Sequence, residues 1–188
     1  MVEILVVLAI TGLITAGMIN FMISQSQSYS LQEDIQEMEQ NARVAIDYLT
    51  GELQRTEKVT VSSMAMPGDR ITLQYDADGD GALDNLVYRF NQGTSFYSND
   101  ESSAARISMS GTGTQNSVAR GYIASFVTQD LNMSGSPDTP MFQVDNPVSP
   151  NVVTVTIIAR TRRPDPNYTR NNGYRQIVLT RRVVLRNM

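Results

Sequence analysis

The sequence predicts an α+β protein: a long N-terminal helix whose C-terminal half packs on an antiparallel β-sheet head. Three observations carry that expectation. Residues 1–23 form an almost unbroken apolar run, no proline occurs before Pro67, and from Arg70 onward short β-branched runs alternate with Gly, Ser, Asn and Pro. Three segments follow from this: an apolar helix half of transmembrane character at 1–23, an amphipathic helix half at 24–60, and a globular β-rich head at 61–188.

In the first segment, MVEILVVLAITGLITAGMINFMI, Glu3 is the one ionisable side chain. Roughly 20 apolar residues rising about 1.5 Å each match the ~30 Å hydrocarbon core of a bilayer. A cleaved secretory signal fits less well, because neither a basic n-region nor a small-x-small cleavage site is visible. A carboxylate in such a helix costs about 2.5 to 3.5 kcal/mol on insertion scales. Two placements relieve that cost. Glu3 either has a partner, or sits at the helix end, reaching the headgroups and the positive end of the helix dipole.

Beyond Ile23 the pattern changes without a helix breaker. Leu31, Ile35, Met38, Ala42, Ala45 or Ile46, Leu49 and Leu53 step by threes and fours into one narrow apolar stripe. Glu33, Asp34, Glu37, Glu39, Arg43, Asp47, Glu52 and Arg55 occupy the other faces. Such a stripe serves a coiled coil or a helix packed on a sheet, and the strand-like sequence that follows favours the sheet.

The head divides into strand-like runs at Arg70–Tyr75, Asn85–Phe90, Ala105–Met109, Gly121–Thr128, Val152–Arg160 and Gln176–Leu185. Alternation is clearest in VVTVTIIAR and IVLTRRVVL, where β-branched residues dominate. A single antiparallel sheet is the simplest arrangement. Gly111–Ser117, Ser134–Pro140 and Pro164–Gly173 read as exposed loops. Tyr48 and Tyr88 are expected at the core or at an interface.

Composition narrows the chemistry. With neither cysteine nor histidine in 188 residues, disulfides, thiolate and imidazole metal ligands, and Ser-His or Cys-His nucleophile pairs are all excluded. No constellation of nucleophile, base and orienting group is visible, so the chain is expected not to be an enzyme. The net charge of −4 is small but unevenly spread: eight of fifteen basic residues fall between Arg160 and Arg186, while fifteen of nineteen acids lie at or before Glu101. Arg181 and Arg182 are adjacent in a strand and must point to opposite faces. A solvated face, or salt bridges to the acidic helix of the same or an adjacent subunit, is therefore favoured over a nucleic-acid partner.

One segment, YDADGDGALDNLVYRF, resembles a chemical site. Asp76, Asp78, Asp80 and Asp84 have the 1, 3, 5 and 9 spacing of a calcium loop, Gly81 takes the sharp-turn position, and the Ala82 carbonyl is a further oxygen donor. Val87 replaces the bidentate glutamate of an EF-hand, and strands flank the loop. The alternative is a metal-free hairpin turn in which Asp and Gly adopt left-handed conformations.

VEILVVLAITGLITAGM resembles the N-terminal signature of type IV pilins and type II secretion pseudopilins, with Val2-Glu3 matching the family's valine and glutamate. More weakly, QEMEQNARVAIDYLTGELQRT and RQIVLTRRVVLRN are similar to PilW-like minor pilins and J-type pseudopilins. The resemblance implies a leader peptide and an N-methylated phenylalanine before Met1. It implies that Glu3 neutralises the N-terminal amine of a neighbouring subunit, and that Gly12 and Gly17 fall where family helices loosen on assembly, although the family's mid-helix proline is absent. The expected function is a structural subunit of a type IV pilus or related filament, a minor or priming pilin above a major one. The subunit would reside in the bacterial inner membrane before assembly, and in an extracellular pilus or periplasmic pseudopilus afterwards. Its partners would be other pilin subunits. The alternative of a different class is a membrane-anchored, calcium-dependent binding protein that does not polymerise.

Overall fold

The computed structural model describes residues 2–62, 68–76, 81, 83–91, 106–112, 121–132, 134 and 137–185. Helix α1 runs unbroken over Val2–Arg55. Its C-terminal half buries Met38, Ala42, Ala45, Ile46, Leu49 and Leu53. These residues are the stripe read from the sequence, and it lies against sheet, not against another helix. The helix ends where β-branching begins: Thr56 turns its hydroxyl back onto the Glu52 carbonyl at 2.9 Å. Val59 and Val61 then alternate into β1 (Lys58–Ser62), so the expected 24–60 segment holds both the helix end and the start of the first strand.

Strands β1, β2 (Arg70–Tyr75), β3 (Asp84–Asn91), β4 (Arg106–Thr112) and β5 (Gly121–Ser125) form an antiparallel meander in that spatial order. A second antiparallel sheet is built around β8 (Val152–Arg160). Strands β6 (Val127–Thr128) and β7 (Phe142–Val144) pair along one edge of β8, and β9 (Gln176–Val184) pairs along the whole of the other. Two sheets thus replace the single one expected.

The break falls inside the run Gly121–Thr128, at Phe126, whose φ of 56° is a left-handed value that a bulky side chain adopts only under constraint. The constraint is visible. Arg160, 1% exposed, lies with its guanidinium 4.7 Å from the Tyr174 ring centre and 5.6 Å from that of Phe126. It also donates to the Thr161 carbonyl at 3.0 Å. Cation–π contacts strengthen when desolvated, to roughly 2 kcal/mol, which offsets the strained turn that passes the chain between sheets.

Both sheets share one core with the helix. Val59, Ile71, Leu73, Leu86, Tyr88, Phe90 and Ile107 meet Phe142, Val153, Val155, Ile157 and Val183 around the buried stripe. Gly68 fastens the β1–β2 connection to β7: its carbonyl accepts the Phe142 N–H at 3.0 Å, and its φ is +59°. A Cβ at this position would collide with the Phe142 carbonyl oxygen.

Candidate functional site: the exposed apolar helix and its anchorage

Among the described residues, the apolar first part of α1 makes no burying contact with the head, whereas Ser24, Gln27 and Ser28 border a small cleft against the loop at 163–167. Residues 2–29 are exposed throughout, including Ile4, Leu5, Val7, Leu8, Leu13 and Phe21. The helix is long and apolar enough to cross a membrane. Apolar surface left in water is unfavourable by about 25 cal/mol per Å², so this exposed stretch would gain from an apolar environment. Its hydroxyls require none of the solvent. Thr11 donates to the Val7 carbonyl and Thr15 to that of Thr11, each at 2.8 Å. Gly12 and Gly17 leave open space where a Cβ would stand.

Glu3 lies in the first turn, exposed and far along the helix from the head. An acid here lies beside the unsatisfied N–H groups of the helix start, at the positive end of the helix dipole.

Two ion pairs anchor the lower helix to the arginine-rich C-terminal half. Arg163 donates from Nε and Nη2 to the two oxygens of Asp34 at 3.0 and 3.1 Å. Arg181 on β9 reaches Asp47 at 3.3 Å. The loop that presents Arg163 is itself fixed: Arg175 donates to Asp165 at 2.8 Å, and the Asp165 N–H donates to the Gly173 carbonyl at 2.7 Å. The Arg175 guanidinium holds the Asp165 carboxyl below the usual carboxylate range, assisted by the Asn167 N–H. The late arginines therefore engage the same chain's acids and rings, with partners at Asp34, Asp47 and Asp165 that charge asymmetry suggested only as a class.

A third cluster joins the helix end to the first sheet. Tyr75 donates to Glu52 Oε2 at 2.7 Å, Arg55 lies 3.8 Å from the same carboxylate, and Tyr48 meets Tyr88 edge-on with ring centres 6.3 Å apart. Burial first, and then Glu52, through its hydrogen bond to Tyr75 and its charge near Tyr88, push both hydroxyls far above their ordinary range, so both stay protonated. Sequence periodicity offered no signal for this cluster, because Glu52 reads as a surface residue.

Of the aspartate loop, Asp76 and Asp84 are placed at the two ends of the β2–β3 hairpin, while Asp78, Asp80 and Ala82 lie outside the described residues. Gly81 has φ +83° and donates its N–H to Asp76 Oδ2 at 2.9 Å. Asp84 is buried opposite Tyr75 in the ladder. Among the described residues no group of three metal-ligating side chains converges.

Comparison with family models, curated proteins and solved structures found no match. Fold and site define a class only: an α+β protein whose long N-terminal helix, apolar and exposed over its first half, is compatible with membrane anchoring.

Proposed function

We propose that this chain is a structural subunit of a type IV pilus or related filament, held in the membrane by its apolar helix half and later polymerised through it. The observation that carries the reading is the continuity of α1: one unbroken helix is bare and apolar at one end and built into the head at the other. Such a helix has two apolar environments available in succession, the bilayer and a bundle of like helices. Glu3 guides register by pairing with a neighbouring subunit's N-terminal amine, because a buried carboxylate without a partner is strongly disfavoured. The resemblance of residues 2–18 to pilins supports this role. The weaker similarities at 36–56 and 175–187 favour a minor or priming subunit. No catalytic step is assigned.

Replacing Glu3 with Ala tests the reading. Membrane insertion should persist while incorporation into sedimentable filaments fails. Unchanged incorporation would remove the pairing role, and a wild-type chain that stays dispersed in the membrane would favour an anchored, non-polymerising binding protein. Calcium at the Asp76–Asp84 loop is a secondary part of the proposal, supported by carboxylate spacing alone. Thermal melts that coincide with calcium and with chelator would discard it.

A further inference from the structure

The second sheet has two faces, and the helix covers only one. Ile177, Leu179, Arg181 and Val183 of β9 share the face of Val153, Val155, Ile157 and Ala159, which looks toward α1. The even-numbered residues look the other way. There Val152 stands opposite Val184, Thr154 opposite Arg182, Thr156 opposite Thr180 and Ile158 opposite Val178. The loop after β6 closes over one corner, where Gln176 donates to the Asp130 carbonyl at 3.2 Å and Ile158 is buried. The rest is open: Val178 is 44% and Val184 63% exposed. The Thr156 and Thr180 hydroxyls meet each other at 3.3 Å, so the middle of this face has its polar atoms paired within the sheet. Among the described residues Arg182 has no ion pair.

On the far side of the same head, the solvent ridge of α1 carries a complementary pattern. Glu33, Glu37, Gln40, Val44 and Tyr48 recur at three- and four-residue steps along the exposed side of the helix, with Glu37 bordering the groove that Arg162 lines and Tyr48 meeting Tyr88 at its edge. Val44 is 58% exposed. Glu33 lies in the field of Arg163, whereas Glu37 has no ion pair among the described residues. The sheet face therefore offers valines and the Arg182 cation, and the helix ridge offers an exposed valine, a tyrosine and the Glu37 anion.

We infer that these two surfaces are halves of one contact between copies of this chain, in which the outer face of β8–β9 seats on the α1 ridge of the next subunit and Arg182 meets Glu37. This rests on the filament reading in the form where this chain is the repeating subunit and not a minor or priming one, and it specifies how heads add to such a filament. The two patches lie on opposite sides of a helix-on-sheet layer, so a pair of copies cannot satisfy both with a two-fold axis. A heterologous contact of that sort propagates as an open helix of subunits wherever its rotation does not close a ring. The Val152–Val184 and Thr156–Thr180 pairs stand in one uninterrupted register, so they form a continuous strip along which a helix ridge can lie.

The absence of cysteine gives a clean test. In the full-length chain, Val44→Cys and Val184→Cys are made singly and together, and membranes or sheared filaments are treated with a short bis-maleimide. The double variant should give a ladder of covalent multimers, and each single variant should give monomer. Dimers from either single variant would mean an isologous contact and overturn the inference. So would bands that are not multiples of the chain's own mass, which would assign the face to a different protein. As a second arm, Arg182→Glu or Glu37→Arg should each reduce the ladder at least tenfold, and the pair together should restore it. Sedimentation separates the two claims. Filaments that pellet normally without a ladder overturn this contact and leave the filament reading; a ladder without pelleting filaments overturns the filament reading alone. Neither ladder nor filaments overturns both.

Discussion

Arg163 holds Asp34 in a two-pronged grip, Nε to one carboxylate oxygen at 3.0 Å and Nη2 to the other at 3.1 Å, across 129 positions of sequence. Asp34 is 7% exposed and Arg163 55%, so one partner is desolvated and the other is screened. Charge-assisted bonds of this geometry contribute roughly 1.5–3 kcal/mol when shielded, and the open side of Arg163 places this pair near the bottom of that range. Asp34→Ala and Arg163→Ala should each lower stability by about 1–2 kcal/mol. The double variant should lose little more than either single one, as read from urea melts of the detergent-solubilised chain.

The two faces of α1 should respond very differently to truncation. Leu49 is 1% exposed in the shared core, and Leu49→Ala should cost about 2–5 kcal/mol through lost burial and an unfilled cavity. Val44→Ala, on the solvent ridge, should change the stability of the separated subunit by less than about 0.5 kcal/mol. Equal effects at both positions would contradict the observed helix orientation.

Glycines divide in the same way. Gly68 sits at φ +59° against the Phe142 carbonyl, so Gly68→Ala should destabilise by about 1–3 kcal/mol through strain and loss of the β7 contact. Gly51 lies within the helix with open space around it, and Gly51→Ala should stabilise by about 0.5–1 kcal/mol. Thermal melts of both variants distinguish the two environments by sign.

Acid should loosen the head through its buttressed carboxylates. Asp145 accepts the Val152 N–H at 3.0 Å, with Asn151 and Asn146 also donating to it, and these bonds hold it below the usual range; Arg175 does the same for Asp165. A folded-state value lower than the unfolded one contributes stability that is present above the ordinary carboxylate value near ~3.9 and lost as pH falls through the folded value. Melting temperatures should therefore be insensitive to these groups between about pH 7 and 5 and should fall below about pH 4. Asp145→Ala should flatten that acid limb.

Strong periodicity made α1, β8 and β9 legible, because long amphipathic segments announce their period. The short strands were harder. β7 has three residues, Phe142–Val144, and its place is set by pairing with β8 and by the Gly68 carbonyl, neither of which is local information. β1 was hidden because Lys58–Ser62 follows the helix without a Gly or Pro to mark the change. The division into two sheets depends on Phe126, whose conformation is dictated by Arg160 and Tyr174 far away in sequence. For the site, the position of Glu3 near the start of an apolar helix could be read directly. Which acids receive Arg163, Arg175 and Arg181 could not, since opposite charges pair by tertiary proximity.

The unbroken run of α1 from its bare end into the core also has a mechanical meaning. A pull on the apolar end travels along one hydrogen-bonded backbone and reaches the head as shear, parallel to the helix axis, spread over the Met38–Leu53 contacts. Asp34 and Asp47 are tied to the sheet side about 20 Å apart along that axis at 1.5 Å per residue, so the load is shared between two side-chain rivets instead of peeling the helix from one end.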